Sequence, residues 1–368
     1  MAPVIQQLVI TPGVDSKVCV TAQHRQMLDQ VLSLFGIQPD IDLNLMRPNQ
    51  TLAELTADIF THLDPVIRDI KPDWVLVQGD TTTVMAAGLL AYYSQIRVGH
   101  IEAGLRTGNR WQPFPEEINR RVAGVVADLH FAPTQLNRQH LLHEGIPAWR
   151  ILVTGNPVID ALNQISQLPQ PSEVIALLEK LKVSPTDRRL ILVTAHRREN
   201  FGNPLINICL ALRSLAEMYP ENLQLVYPVH LNPNVHEPVY RLLSGIPNIT
   251  LLPPLDYLPM VHLMKRSTLV LTDSGGIQEE ATALQIPALV LRQVTERPEG
   301  VETGILRLVG TDPQHIITEA TRLLDDCEAY QVISTSGNPF GDGHAAQRIV
   351  AGILNFHDQD LRAQQESV

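Results

Sequence analysis

Cysteine, basic charge and long apolar runs are all scarce in this sequence, and each scarcity removes a class of function. The three cysteines, Cys19, Cys209 and Cys327, lie far apart and outside any C-x-x-C spacing. That excludes a disulfide framework or a cysteine zinc knot, and reduced thiols in the core of a cytoplasmic protein are expected. Lys and Arg number 28 against 39 Asp and Glu, for a formal charge of -11. So acidic a surface argues against phosphate-backbone binding, and an anionic ligand has to be held by local groups. No apolar run reaches the roughly 18 residues of a spanning helix, and MAPVIQQLVI lacks a basic leader and a signal-peptide core. A soluble cytosolic protein is expected. Among 13 histidines only His140 and His143 share a helical spacing, without an acidic or cysteine partner, so no metal site is expected. Internal repeats, low-complexity tracts and the G-x-G-x-x-G fingerprint of nicotinamide enzymes are also missing.

What is present is a regular alternation of strand-like and helical runs. Residues Ala2 to Val9 read as a helix, Lys17 to Thr21 as a strand, and Arg25 to Phe35 and Leu52 to Ile70 as helices. Strand, helix and strand then alternate through Trp74 to Gln78, Met85 to Tyr93, Ile96 to Ile101, His130-Phe131, Gln135 to His143 and Ile151 to Thr154. Proline and serine gather between Gln164 and Asp187, which marks a domain junction. A second alternating series runs from strand Leu190 to Thr194 to strand Ala288 to Leu291. The pattern predicts an α/β protein with parallel sheets covered by helices on both faces. Its length suits two domains, 1–165 and 166–344, with a terminal helix in 345–368 crossing back to the first. The series begins with a helix, so the first domain is expected to lack its opening strand.

The densest chemistry lies between Trp74 and Arg121. The strand Trp74 to Gln78 ends in Gly79-Asp80, and the next strand delivers Glu102, just past the carboxyl ends where open α/β sheets bind ligands. After Pro113 and Pro115, Glu116 and Glu117 open a helix. Any one of these acids fits equally a helix cap or an ion partner for Arg106, Arg120 or Arg121. Three acid positions at successive strand ends are less easily explained by capping alone.

The second half offers an anion cradle. Strand Leu269 to Thr272 runs into Asp273-Ser274-Gly275-Gly276 and a helix, where glycines admit a phosphate to the free N–H groups and positive end of the helix. Glu280, one turn in, is placed for paired hydroxyls, as on a ribose. A capped helix after a glycine turn is the plainer alternative. Arginines on other loops, Arg197 and Arg198 after one strand, Arg292 and Arg297 after another, offer bidentate phosphate contacts or surface salt bridges. His196 follows its strand directly and suits donation to a leaving phosphate, or a structural role; His230 divides the same way.

The segments VCVTAQHR, QGDTTT, GHIEAGLRTG, PFPEEINR, TGNPVIDAL, TAHRREN, YPVHLNP, LTDSGGIQEE, RPEGVE and GNPFGDG cover nearly the whole chain in one order. In them the sequence closely resembles the non-hydrolysing bacterial UDP-N-acetylglucosamine 2-epimerases. The resemblance implies two Rossmann-like domains of the glycosyltransferase-B kind closing over UDP-sugar, usually as a homodimer, with no cofactor. By it, Asp80, Glu102, Glu116 and His196 match catalytic residues, Ser274, Gly275 and Gly276 the diphosphate loop, and Glu280 the ribose contact. Arg292 is placed with the UDP-binding set. Gln23, Gln26, Arg197 and His230 match positions where bacterial members hold a second UDP-N-acetylglucosamine as activator, while Asn49 stands where some carry an arginine. The family's reaction eliminates UDP across C1–C2 and adds it back with the proton on the other face, which suits carboxylates without nicotinamide. Family members begin with a strand and a G-T-R-P-E turn whose arginine, with a following lysine, approaches the phosphates. Met1 aligns just after that turn, so little epimerase activity is expected of this chain alone. The competing readings are a glycosyltransferase of the same architecture, which needs an acceptor, and a non-catalytic nucleotide-sugar-binding protein.

Overall fold

The computed structural model describes residues 1–21, 25–47, 50–184, 187–335 and 337–356, apart from the side chains of Gln26 and Met27. Gln23 and Asn49 lie outside the described residues, as does the stretch 357–368. The chain forms two compact units, one of Met1–Ala161 with the described residues from Phe340 on, the other of Leu162–Pro339.

In the first unit β1 (Cys19–Val20) pairs with β2 (Ile41–Asp42), and a separate parallel sheet holds β3 (Trp74–Gln78), β4 (Arg97–Ile101), β5 (Leu129–Ala132) and β6 (Ile151–Val153) in that order. Among the described residues β3 therefore has a strand neighbour on one side only, and of its five residues only Val77 is buried. β4 and β5 are buried almost throughout, as expected of parallel strands covered on both faces. One face packs helices Leu52–Ile70, Thr82–Tyr93 and Glu116–Val126 through Leu55, Ile59, Val84, Ala87 and Ala123. Leu55, Ile59, Leu63 and Ile67, four residues apart, are the buried stripe of the first of these helices. Its start is a reciprocal Thr51–Glu54 capping box and its end Lys71 in the left-handed region at φ 49°.

On the other face helices Ala2–Val9 and Ala345–Leu354 pack together, and Val4, Ile349 and Val350 meet Ile101, Leu129 and Phe131. The last helix is fixed by Asp160, whose carboxylate accepts from the N–H of Ala345 (3.2 Å) and Ala346 (2.8 Å). A side chain from a distant helix thus does the work of an N-cap.

The second unit is one six-stranded parallel sheet of β7 (Arg189–Thr194), β8 (Leu223–Pro228), β9 (Ile249–Leu252), β10 (Leu269–Thr272), β11 (Ala288–Val290) and β12 (Leu306–Leu308). Its order is β12-β11-β10-β7-β8-β9. Chain order reverses between β7 and β10, the position at which doubly wound sheets open a ligand crevice beyond the strand ends. β2 and β12, two and three residues long, are too short to show as periodic runs in the sequence. One expectation is corrected: only Cys209 is in the core, while Cys19 and Cys327 are exposed because β1 is a short outer strand and Cys327 opens a surface helix. No described helix is long and apolar enough to cross a membrane.

Candidate active site

In the first unit the pairing of β3 with β4 brings Asp80 and Glu102 to adjacent strand ends, with Gly79 N–H bonded to Ile101 O at 3.0 Å. A side chain built on Gly79 would meet Glu102 Oε2 at 3.4 Å, so that carboxylate lies against the turn carrying Asp80. Glu102 itself has φ 64°, a left-handed conformation that non-glycine residues adopt rarely and that concentrates at functional sites. Helix Glu116–Val126 closes the group. Asn119 Nδ2 donates to Asp80 O at 2.9 Å, and the buried Arg120 guanidinium pairs with the Asp80 carboxylate. Glu116 lies three residues before Asn119, on the same helical face.

The two adjacent acids of that helix part ways. Glu117 is fully buried and accepts from Thr107 N (3.2 Å), Arg120 Nη1 (3.3 Å) and Arg121 Nη2 (3.4 Å), which makes it the support for Arg120 and the loop. Glu116 is half-buried, with Oε2 buried and without a hydrogen-bond partner. Arg106 is taken by Glu144, in a two-pronged pair at 2.8 and 2.7 Å.

A neutral histidine underlies the cluster. His100 is buried and its Nε2 lies 2.8 Å from Gly79 O, which holds the turn that presents Asp80. Burial lowers its pKa to about 4, and that of the adjacent buried His130 to about 3. His140 does a similar job with Nδ1 2.9 Å from Gly104 O.

In the second unit the switch point assembles a second group. The Thr194 and Thr272 hydroxyls meet at 2.7 Å where β7 and β10 end. Beyond them His196 is 40% exposed, its ring stacked on His230 with centroids 5.5 Å apart. Desolvation lowers the His196 pKa, against the pull of Asp273 and with the help of His230 and Arg197. Asp273 is wholly buried beneath this loop. In the sequence it reads only as the start of the glycine turn, although its place directly after a strand is the one that marks Asp80 and Glu102.

Helix Gly275–Ala283 starts at Ser274, whose side chain makes no capping bond. Space over Gly276 is open, whereas a side chain on Gly275 would strike Arg297 Nη1 at 2.5 Å. Glycine there lets a cation sit against the helix start. Arg297 is held by Glu279 (2.8 Å) and Glu296 (3.4 Å). Arg292 is fully buried, its guanidinium taken by Glu199 at 2.6 Å and Glu296 at 2.9 Å. Burial opposes the charge of Glu296, but Arg297 and Arg292 outweigh it and bring its pKa to about 2. Glu280 is buried and accepts from Tyr257 OH at 2.7 Å; burial raises its pKa to about 7. Of the four residues matched to an activator, Arg197 and His230 flank His196, while Gln23 and the Gln26 side chain lie outside the described residues.

Two Rossmann-like units, one with carboxylates at its strand ends and one with a glycine turn at a helix start, define the glycosyltransferase-B class of α/β proteins. The sequence profile of the UDP-N-acetylglucosamine 2-epimerases matches residues 6–354. A probable UDP-N-acetylglucosamine 2-epimerase of Ralstonia solanacearum is 53% identical over 97% of this chain and 95% of its own. The Escherichia coli enzyme of that name is 51% identical over 96% and 95%. The crystal structure of the Neisseria meningitidis UDP-GlcNAc 2-epimerase bound to UDP-GlcNAc has a TM-score of 0.92 at 49% identity, covering 96% of both chains. This chain belongs to the UDP-N-acetylglucosamine 2-epimerase family.

Proposed function

We propose that this chain interconverts UDP-N-acetylglucosamine and UDP-N-acetylmannosamine, in the cytoplasm, as a supplier of precursors for surface polysaccharide. Its family membership supports the reading, as does the Neisseria relative bound to UDP-GlcNAc. The observation that carries it is the acid cluster of the first unit. Asp80 and Glu102 stand at adjacent strand ends, and Glu116 has a buried, unpartnered carboxylate oxygen.

In the reaction a carboxylate takes the proton from C2 as the C1–O bond breaks and its electrons leave with UDP, giving a glycal-type enol ether. UDP then adds back to C1 while a proton is delivered to the other face of C2. Two faces need two differently placed proton carriers, and Asp80, Glu102 and Glu116 provide them. His196 neutralises the departing diphosphate. Ser274, Gly275 and Gly276 bind that diphosphate at the helix start, and Glu280 accepts from the ribose hydroxyls. Arg292 acts on the nucleotide loop through Glu199 and Glu296, which hold its guanidinium. Arg197 and His230 contribute to an activator site for a second UDP-N-acetylglucosamine. The exposed Tyr92 and Tyr93, with Val125 on the neighbouring helix, leave an apolar surface that supports a homodimer.

The test is incubation with UDP-N-acetylglucosamine in deuterated water with no acceptor. The manno epimer carrying deuterium at C2 is expected. Transfer only when an acceptor is added, or UDP binding without exchange, overturns the reading.

A further inference from the structure

The carboxylate of Asp273 is used on one side only. Its Oδ2 accepts three hydrogen bonds, from His196 N and Arg197 N at 2.8 Å each and from Asn200 Nδ2 at 2.9 Å. Its Oδ1 is buried and has no partner. The nearest basic atom is Nδ1 of His196, 3.7 Å away. A shift of about 1 Å brings the pair into hydrogen-bond range, and a buried carboxylate oxygen without a donor favours that shift.

The surroundings direct the imidazole the same way. His230 Nδ1 accepts from Asn232 N at 3.0 Å, so its proton is on Nε2, and it meets His196 as a stacked ring rather than as a hydrogen-bond partner. The backbone behind His196 is fixed by Tyr227 OH, which donates to Ala195 O at 2.6 Å. The charged and titratable groups acting on His196 are Asp273, His230 and Arg197.

We infer that Asp273 is a positioning residue for His196: Oδ1 accepts the Nδ1–H, which fixes the tautomer and turns Nε2 toward the departing phosphate. The inference rests on the assignment of His196 as the group that acts on the leaving UDP. In the forward direction His196, protonated on both ring nitrogens once Oδ1 holds its Nδ1–H, gives the Nε2 proton to the phosphate oxygen as the C1–O bond breaks and is left as the neutral Nδ1–H tautomer. Oδ2 already secures the loop, so the second oxygen has no structural duty.

Asp273→Asn separates the two roles, because the amide carbonyl keeps the three loop bonds while its NH2 replaces an acceptor by a donor opposite Nδ1. The expected result is a kcat about 10²-fold lower, with KM and UDP affinity within about twofold of the parent. Nitrogen NMR of His196 in the UDP complex is expected to show Nδ1–H in the parent and Nε2–H in the variant. Parent His196 as the Nε2–H tautomer overturns the inference, and that measurement decides alone if the variant does not fold. Wild-type kcat in a folded Asp273→Asn also overturns it. Acting through His196, the change adds nothing to His196→Gln; a further tenfold loss in the double variant means Asp273 acts elsewhere. A fully active His196→Gln shows instead that the His196 assignment has failed, whereas the tautomer still reports on Asp273.

Discussion

The two units present their functional groups from strand ends, but on unequal foundations. β3, which carries Asp80, pairs only with β4 among the described strands and leaves four of its five residues partly open. β7, which carries His196, lies mid-sheet between β8 and β10 and buries five of six. What the first sheet lacks in strand neighbours is made up by side chains: Asn119 and Arg120 grip Asp80 from a helix, and His100 grips the preceding turn. In the second unit the loops hold each other, since two N–H groups of the β7 loop and the Asn200 amide converge on a carboxylate of the β10 loop. A site on an edge strand is thus held from outside the sheet, and one at a switch point from within it.

The sharpest break in that comparison is kinetic. Asp80→Asn is expected to lower kcat by about 10³-fold while UDP affinity holds, because the groups proposed to hold the nucleotide lie in the other unit; a rise in KM with kcat intact would reverse the division of labour. Next comes Gly104→Ala, at φ 89° with a methyl placed 2.3 Å from the Asn137 carbonyl. It is expected to cost the first unit about 3 kcal/mol in denaturant unfolding. Leu271→Ala in β10 should cost about 3 kcal/mol, against about 1 for Leu76→Ala in half-open β3. Equal costs would show that β3 is supported as well as a central strand.

The smallest effect is in pH. His100 and His130 stay neutral when folded, down to about 4 and about 3, yet take up protons near 6.5 when unfolded. Their contribution to the first unit is therefore lost as pH falls from 6.5 toward 4. Glu280, raised to about 7, binds its proton more tightly folded than unfolded, so its contribution is present at low pH and lost as pH rises toward 7. It opposes the acid loss that His196 and His262, both held below their ordinary values by desolvation, impose on the second unit. Calorimetry from pH 6.5 to 4.5 should show the first unit losing more, and Glu280→Gln should narrow the gap.

Strand ends were the legible part of the site. A run such as WVLVQ followed by Gly-Asp announces both the element and the place its acid occupies. Two things were not legible. Glu116 and Glu117 are neighbours of one chemistry, and only the direction in which the helix faces the sheet buries Glu117 among donors and leaves Glu116 half-buried with an unpartnered oxygen. Arg292 reads as a phosphate-binding arginine until Glu199 and Glu296, distant and near in sequence, are seen to hold its guanidinium. Asp273 had the right signal and was eclipsed by the glycines after it.

The cap that Asp160 places on helix Ala345–Leu354 also sets a timetable. The first unit is discontinuous in sequence, and Ile349 and Val350 are part of the core around Phe131. Synthesis runs from the amino end and domains fold as they emerge. Residues 162–339 therefore leave the ribosome, with everything needed for their own sheet, before the first unit receives its closing helix. The half of the protein that is made first is the half that finishes last.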